Sequence, residues 1–184
     1  MSEIKMILLG NSGVGKTTLA NYWIYQSTID VEPTIGAQNM IKYVTVQDKT
    51  VKVILWDTAG QEQYRSITPL YIRGARIAII VASVCDPQSF IDLPIWLNLL
   101  GESECPIPAI LAINKTDIAD HPDITDYVNQ FRNSFLGVFY ISAYTGENVE
   151  MLFNDAVLLV KGPETVQNNN ISISVETQAR AQCC

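Results

Sequence analysis

The chain has 184 residues, of which 48% are hydrophobic, and carries a formal net charge of −7. Such a length fits one ordinary domain, and the acidic balance lacks the basic surface with which proteins bind the phosphates of nucleic acid. We therefore expect no nucleic-acid partner. The longest apolar runs, Ile77–Cys85 and Ile107–Ile113, are too short for a transmembrane helix, and we expect no secretory signal and reduced cysteines. Four cysteines and one histidine also argue against a disulfide scaffold or a histidine-based catalytic triad.

Short apolar runs alternate with helix-length amphipathic segments, which is typical of an α/β fold with a mainly parallel sheet and helices on both faces. The predicted strands are Lys5–Leu9, Asn39–Gln47, Val51–Trp56, Ile77–Ala82, Ala109–Ile113 and Phe139–Ile141. The predicted helices are Lys16–Gln26, a short one within Gln63–Ile72, Phe90–Leu100, Thr125–Phe135 and Val149–Val160.

Two local signals refine this pattern. Only Asp48–Thr50 separates the second and third strands, which is too short for a helical crossover and predicts an antiparallel hairpin at one edge of the sheet. Pro94 is compatible with a helix only in its first turn. From Pro163 onward the sequence becomes rich in Asn, Gln, Ser and Thr without periodicity, so we predict one folded domain over residues 1–162 and a disordered tail over 163–184.

The segment that follows the first strand matches the pattern G-x-x-x-x-G-K-[ST] over Gly10–Thr17 and leads into a helix, which is the context that this motif requires. Its backbone N–H groups and the N-terminal end of the helix can surround a β-phosphate. Lys16 would reach the β- and γ-phosphates, and the Thr17 hydroxyl suits Mg²⁺. The alternative, a glycine-rich turn without a ligand, is disfavoured by four matched positions in this context. The predicted nucleotide contacts are Asn11, Ser12, Gly13, Val14, Gly15, Lys16, Thr17 and Thr18.

A second group follows the third strand, where Asp57 is followed by Thr58-Ala59-Gly60-Gln61. A carboxylate at a strand end beside a phosphate loop can accept from, or bind, the Mg²⁺ shell. Gly60 can bring its backbone N–H against a γ-phosphate oxygen, and the Gln61 amide can orient an attacking water. A solvent-exposed loop glutamine is the simpler interpretation of Gln61 alone, but its spacing from Asp57 favours catalysis.

The base-recognition signal is Asn114-Lys115-Thr116-Asp117, placed at the carboxyl end of a buried-strand pattern. Asp117 can accept two hydrogen bonds from the N1–H and amino group of guanine, whereas adenine offers no donor on that edge. A site built on such a bond can discriminate by ~10⁴ to 10⁵. The motif is weak in isolation, but it has the expected order along the chain.

Together these segments resemble the Ras-type small GTPases, and more closely the Rab branch, over about residues 3–162. The resemblance also rests on Pro33–Gly36, Tyr71–Ala75 and Ser142–Val149. It implies a six-stranded P-loop small G domain that binds GTP or GDP with Mg²⁺ and hydrolyses GTP. By the family pattern Thr34 binds Mg²⁺ and the γ-phosphate, and Ser142, Ala143 and Tyr144 line the base pocket. The implied catalytic residues are Gln61, Lys16 and Thr34, the metal ligands Thr17, Thr34 and Asp57, and the effector surface Ile35, Asn39, Trp56 and Tyr71.

The chain departs from the Rab pattern at several positions. Asn39 stands where Rabs usually carry Phe, which makes the effector surface more polar, and Tyr144 replaces a Lys at the base pocket. Ile113 replaces a Gly, Gln63 replaces an Arg, and the first switch is slightly shortened. The aromatic that normally contacts guanine has Tyr25 as its nearest counterpart. We expect a divergent member with its own partners and intact nucleotide chemistry.

Hydrolysis is predicted to be slow. Between Thr17 and Thr34 there is no room for an inserted domain that would supply a catalytic arginine in cis. The resemblance implies an exchange factor, a GTPase-activating protein, effectors, an escort protein and a GDP-dissociation inhibitor as partners of a monomer.

The sequence ends in Cys183-Cys184, on a polar tail. Rab proteins with this ending carry two geranylgeranyl groups, and two lipid chains hold a protein stably on a membrane. We therefore expect the cytoplasmic face of an endomembrane, with a soluble cytosolic pool. The alternative is an incidental cysteine pair.

Two other functions remain open. One is a binding module locked in a single nucleotide state, which the departure at Asn39 motivates. The other is a P-loop kinase or ATPase, which would need an arginine-bearing lid and would have no use for the guanine-reading Asp117.

Overall fold

A computed structural model of the protein describes residues 2–27, 34–60, 66–103 and 105–161. The strands are β1 Ser2–Leu9, β2 Ala37–Val46, β3 Lys49–Thr58, β4 Ile77–Ser83, β5 Ala109–Asn114 and β6 Val138–Tyr140. The α-helices are α1 Lys16–Tyr25, α2 Thr68–Ile72, α3 Pro87–Ile91, α4 Leu93–Gly101, α5 Thr125–Phe131 and α6 Val149–Lys161. A short 3₁₀ turn, Arg132–Ser134, follows α5.

The strands form one six-stranded sheet in the order β2-β3-β1-β4-β5-β6. β1 pairs in parallel with both β3 and β4, and β5 pairs in parallel with β4 and β6. β2 is antiparallel to β3, as the short connection between them predicted. The predicted architecture, a mostly parallel six-stranded sheet with one antiparallel edge strand and helices on both faces, is confirmed.

The helices cover the sheet as two layers with separate cores. Because successive side chains of a strand point to opposite faces, Met6 and Leu8 of β1 pack in one core and Ile7 and Leu9 in the other. The first core includes α1 and α6, and the second includes α3, α4 and α5. Every residue of β4 and β5 is buried, as expected for central strands of such a sheet.

The β2–β3 hairpin closes through Gln47 and Asp48, whose φ angles of 52° and 58° are both positive. Two residues in the left-handed region give the turn type whose twist suits a hairpin, although neither residue is glycine. β3 extends beyond both predicted bounds, whereas β2 begins earlier than predicted and ends at Val46, because Gln47 belongs to the turn. Val46 pairs directly with Lys49.

Two helix predictions were wrong in their extent. The single helix predicted over Phe90–Leu100 is interrupted at Asp92, because Pro94 has no N–H to donate and must occupy the first turn of a new helix. The helix predicted over Thr125–Phe135 ends as an α-helix at Phe131. The chain tightens into the 3₁₀ turn, as helix ends often do, before Phe135 extends toward β6.

Across the described residues, none of the helices combines the length and apolar character needed to cross a membrane. The predicted tail over 163–184 and the start of the predicted segment at Gln63 lie outside the described residues, so both stay predictions.

Candidate functional site

The phosphate loop lies between β1 and α1, at the edge of the sheet where the parallel strands end. Gly10 has φ +136°, and a Cβ built there would collide with the backbone carbonyl of Val81 on β4. Only glycine lets the loop cross β4 this closely. Gly15, with φ 99°, stands at the N-cap position of α1 and starts the helix behind the loop.

Lys16, the first residue of α1, turns its amine back into this loop and is only 5% exposed. Its Nζ donates to the carbonyls of Gly10 and Asn11, at 2.9 and 2.7 Å. Burial lowers the pKa of Lys16 to about 8, against the opposing effect of the Asp57 charge. A buried ammonium held at the loop's inner side is placed to meet an anion.

Three predicted metal ligands converge beside this lysine. Thr17 Oγ1 donates to Asp57 Oδ2 at 2.7 Å and lies 2.8 Å from Thr34 Oγ1. Thr34 Oγ1 in turn donates to Asp57 Oδ2 at 3.3 Å. The phosphate loop, the segment before β2 and the end of β3 therefore meet at one carboxylate.

The Asp57 carboxylate is unusual because it is 0% exposed and its Oδ1 has no hydrogen-bond partner within the described parts of the chain. Burial raises the pKa of Asp57, while the hydrogen bond from Thr17, the Lys16 charge and the hydrogen bond from Thr34 oppose the rise. A buried carboxylate oxygen without a donor is where a cation would be stabilised.

This oxygen set fits Mg²⁺, which prefers hard oxygen ligands and retains waters and substrate phosphates in its shell. Thr17, Thr34 and Asp57 would hold the ion, which would neutralise charge on the phosphate oxygens. Among the residues that the structure describes there is no cluster of three or more His, Cys, Asp or Glu side chains suited to a metal. A divalent ion here would thus depend on hydroxyls and phosphates.

Gly60 lies against the phosphate loop, since a Cβ built on it would collide with Lys16 Nζ and the Asn11 backbone. The strand end before it is anchored by Thr58, whose hydroxyl donates to the Leu8 carbonyl at 2.7 Å. Ala59 N donates to the Gly36 carbonyl at 2.7 Å, which ties the end of β3 to the segment that carries Thr34. The predicted catalytic Gln61 lies outside the described residues and stays a prediction.

At the other end of the site, Asn114 closes β5 and connects two loops. Its Nδ2 donates to the Val14 carbonyl at 2.8 Å, and its Oδ1 accepts from Ala143 N at 2.9 Å. Lys115 Nζ donates to the Gly13 carbonyl at 2.8 Å. The base-side segments are thereby joined directly to the phosphate loop.

Asp117 accepts a hydrogen bond at Oδ1 from Ser142 Oγ, at 2.7 Å, and Ser142 Oγ accepts from Thr145 N at 3.0 Å. A carboxylate has about four lone-pair sites, so this bond leaves acceptor capacity for a base. The Ala143 amide, in the segment that the resemblance implies at the base pocket, donates to Asn114 Oδ1 in this structure. Tyr144 is 71% exposed beside it.

The predicted effector residues share one face. Asn39 pairs with Trp56 across the hairpin, and the Trp56 and Tyr71 ring centroids lie 5.7 Å apart. Lys5 Nζ lies 4.6 Å from the centroid of the Trp56 ring. Gly36 lies close to the Tyr71 hydroxyl, which places its neighbour Ile35 near this face. The Ile35 side chain is 81% exposed.

Two sets of contacts were missed at the sequence level. Asp92 and Trp96 both bond to the Asn11 side chain. Tyr22 on α1 packs over Gly146 and donates to the Thr145 carbonyl at 3.3 Å. No sequence signal could have found either contact, because each joins segments far apart in the chain.

The lysine-bearing phosphate loop, the oxygen cluster beside it and the asparagine and aspartate at the next strand ends define a P-loop site for a nucleoside triphosphate. A sequence model of the Ras family matches residues 5–161, and the chain belongs to that family. Ras-type GTPases bind GTP and GDP with Mg²⁺ and hydrolyse GTP, so this chain is a small GTP-binding switch. The predicted membership of the Ras superfamily is confirmed, and the Rab branch stays a prediction.

Proposed function

We propose that this protein is a Rab-like switch that hydrolyses GTP slowly and, in its GTP form, recruits effectors to membranes in vesicle trafficking. The observation that carries the proposal is the contact of Thr34 Oγ1 with Thr17 Oγ1 at 2.8 Å. It joins the segment next to the exposed Ile35 to the predicted metal site. Loss of the γ-phosphate would weaken that junction and change the surface that effectors contact.

Slow hydrolysis is proposed from the arrangement of arginines. Arg73, Arg76 and Arg132 are exposed in the described structure, on α2's C-terminal side, before β4 and after α5. Arg65 and Arg180 lie outside it. An activating protein would then supply the arginine that stabilises the charge on the phosphoryl group in the transition state. Without it, the intrinsic rate of hydrolysis for the class is on the order of 10⁻⁴ to 10⁻³ per second.

Membrane recruitment is proposed from the terminal Cys183 and Cys184, which lie outside the described residues. Two geranylgeranyl chains, at about 0.8 kcal/mol per buried CH₂, would anchor the chain stably, with an escort protein and a GDP-dissociation inhibitor handling the lipidated form. We propose the cytoplasmic face of an endomembrane as its site, with a soluble cytosolic pool.

The switch function is tested by single-turnover hydrolysis of GTP and of ATP on the full chain with Mg²⁺. We expect slow GTP turnover that Gln61→Leu reduces further while GTP binding persists. Binding without turnover, even with a panel of Rab-type activating proteins, would indicate a locked binding module. Equal binding of ATP would indicate the kinase or ATPase alternative and contradict the proposal.

The membrane function is tested separately with tagged protein in cells. The full chain should distribute between an endomembrane and the cytosol, and carry two lipid groups by mass spectrometry of its C-terminal peptide. A Cys183→Ser, Cys184→Ser variant should be entirely cytosolic, whereas Cys85→Ser, a matched control at an exposed cysteine of the domain, should not change the distribution. Unmodified terminal cysteines would contradict the anchoring proposal and leave the nucleotide chemistry intact.

A further inference from the structure

The side chain of Asn11, the second residue of the phosphate loop, is held by α4 and its N-cap residue. Asn11 Nδ2 donates to Asp92 Oδ2 at 2.7 Å. Its Oδ1 accepts from Trp96 Nε1 at 3.1 Å, and Trp96 is 1% exposed. Both ends of the amide are therefore satisfied by residues of one helix and its N-cap.

The break between α3 and α4 makes this contact available. Asp92 occupies the N-cap position of α4, yet its carboxylate makes no capping bond to that helix. One oxygen instead accepts from Asn11, and the other accepts from Gln88 Nε2 at 2.8 Å. Asp92 has helical φ and ψ angles of −85° and −2°, whereas a capping residue needs non-helical angles, so its carboxylate is available for Asn11 and Gln88.

The main chain of Asn11 faces the opposite way, into the phosphate site. Its carbonyl accepts from Lys16 Nζ at 2.7 Å, and the backbone is in close approach to Gly60. A shift of Asn11 would therefore move the lysine that meets the phosphates and the glycine predicted to contact the γ-phosphate. Small misplacements of such groups reduce rates by up to about a hundredfold.

We propose that Asp92 and Trp96 are positioning residues for the phosphate loop, which fix the Asn11 carbonyl, and through it Lys16 and Gly60, for the γ-phosphate. This inference rests on the proposed function, since the loop must bind and hydrolyse GTP. Because the Gly60 contact concerns the γ-phosphate, losing the positioning should weaken the triphosphate state more than the diphosphate state.

The geometry allows a reversed pair as a test. In Asn11→Asp the new carboxylate faces Asp92, so two acceptors oppose each other. Adding Asp92→Asn restores the match, because the new amide can donate to position 11 while its oxygen still accepts from Gln88. Trp96 Nε1 keeps its acceptor in both variants. Asn98→Asp introduces the same charge change at an exposed position of α4 and is the control.

Single-turnover GTP hydrolysis and the dissociation rates of GDP and a non-hydrolysable GTP analogue are measured on the full chain with Mg²⁺. We expect Asn11→Asp to slow hydrolysis about tenfold and to speed analogue release about fivefold more than GDP release. The double variant should recover both to within about twofold of the wild type. Trp96→Phe, which keeps an aromatic ring in the core but removes the Nε1 donor, should speed analogue release about threefold more than GDP release.

Several results would overturn the inference while the wild type still hydrolyses GTP. One is a double variant whose hydrolysis and analogue release are as impaired as those of Asn11→Asp. The others are an Asn11→Asp variant with wild-type rates, or one in which the release of GDP and of the analogue speeds up equally. If thermal melting shows that Asn11→Asp does not fold, Trp96→Phe and Asp92→Asn are used instead, with the same comparison of analogue release against GDP release. Absence of GTP binding by the wild type would instead contradict the switch function itself.

Discussion

The two ends of the nucleotide site differ in whether their buried polar groups are charged. We call the region around Lys16 and Asp57 the phosphate end, and the region around Asn114 and Asp117 the base end. At the phosphate end two charged groups, Lys16 and Asp57, are buried, and burial shifts the pKa of each toward its neutral form. At the base end the buried polar residues are neutral: Asn114, with both polar atoms of its amide bonded, and Ser142. The charged Asp117 stands at the surface.

The phosphate end therefore contains buried charges that a ligand would compensate, whereas the buried polar groups of the base end are already hydrogen-bonded within the protein. Buried charge is costly until an opposite charge and further hydrogen bonds compensate it, and a magnesium-bound phosphate would supply both. The base end satisfies its own hydrogen bonds and only has to discriminate. Nucleotide binding should therefore stabilise the phosphate end more than the base end.

The largest effect is expected from removing the Asp117 carboxylate, which is predicted to recognise the guanine base. Asp117→Ala should reduce the preference for GTP over ATP by about a thousandfold, because a site built on hydrogen bonds to one base loses its selectivity with them. Competition titration against a fluorescent GDP measures it. Asp120→Ala removes an exposed carboxylate three positions on and should change nothing. A retained GTP preference in Asp117→Ala would place base reading elsewhere.

Lys16→Met tests how the buried lysine at the phosphate end contributes to nucleotide affinity and to the free energy of unfolding. Nucleotide affinity should fall about a hundredfold with the loss of charge-assisted hydrogen bonds. The nucleotide-free protein should at the same time lose about 2 kcal/mol in free energy of unfolding, because the Gly10 and Asn11 carbonyls lose their donor and the buried Asp57 carboxylate loses its opposite charge. Urea unfolding and titration measure the two effects, with Lys52→Met at a partly exposed pair with Glu3 as the control. An unchanged nucleotide affinity in Lys16→Met would contradict the comparison.

Magnesium removal should act through the hydroxyls at the same end. Chelation with EDTA should speed GDP release about tenfold to thirtyfold, and Thr17→Ala should mimic much of this effect in Mg²⁺. In EDTA the variant and the wild type should release GDP at similar rates, since the ion through which Thr17 acts is gone. Thr45→Ala, on the exposed side of β2, serves as the control. Additive effects of EDTA and Thr17→Ala would argue that Thr17 acts without the metal.

The smallest effect concerns the internal bonds of the base end. Ser142→Ala removes the hydroxyl that bridges Asp117 and Thr145 and should weaken GDP binding about fivefold, with the GTP preference largely retained. Stopped-flow release of labelled GDP is sensitive enough for this change. Ser103→Ala removes a hydroxyl that bonds only local carbonyls after α4 and is the matched control. A loss as large as that of Asp117→Ala would mean that Ser142 contacts the base itself.

Much of the fold was predictable because its signals are local. β4 and β5 are continuous apolar runs, and the hairpin follows from the short connection at Asp48. The break at Asp92 was not predicted, because the apolar periodicity continues through Pro94 while the backbone hydrogen bonding does not.

The site shows the same division. The motif around Lys16 and the position of Asp57 at a strand end predicted two of the converging residues, and the family resemblance implied Thr34. The structure brings Thr17, Thr34 and Asp57 together. The bond between Asn11 and Asp92 joins residues 81 positions apart, and no local pattern encodes such a contact. The binding and catalytic roles themselves stay predictions until the experiments above are done.

The tight turn at Gln47 and Asp48 has a consequence for the order of folding. β2 and β3 can pair after closing a loop of only two residues. The pairing of β1 with β3 instead has to close a long segment that contains the phosphate loop, α1 and β2. The hairpin should therefore form early and serve as a template for the parallel strands. Pulse-labelled hydrogen exchange during refolding should show its amides protected before those of β5, and the reverse order would refute this.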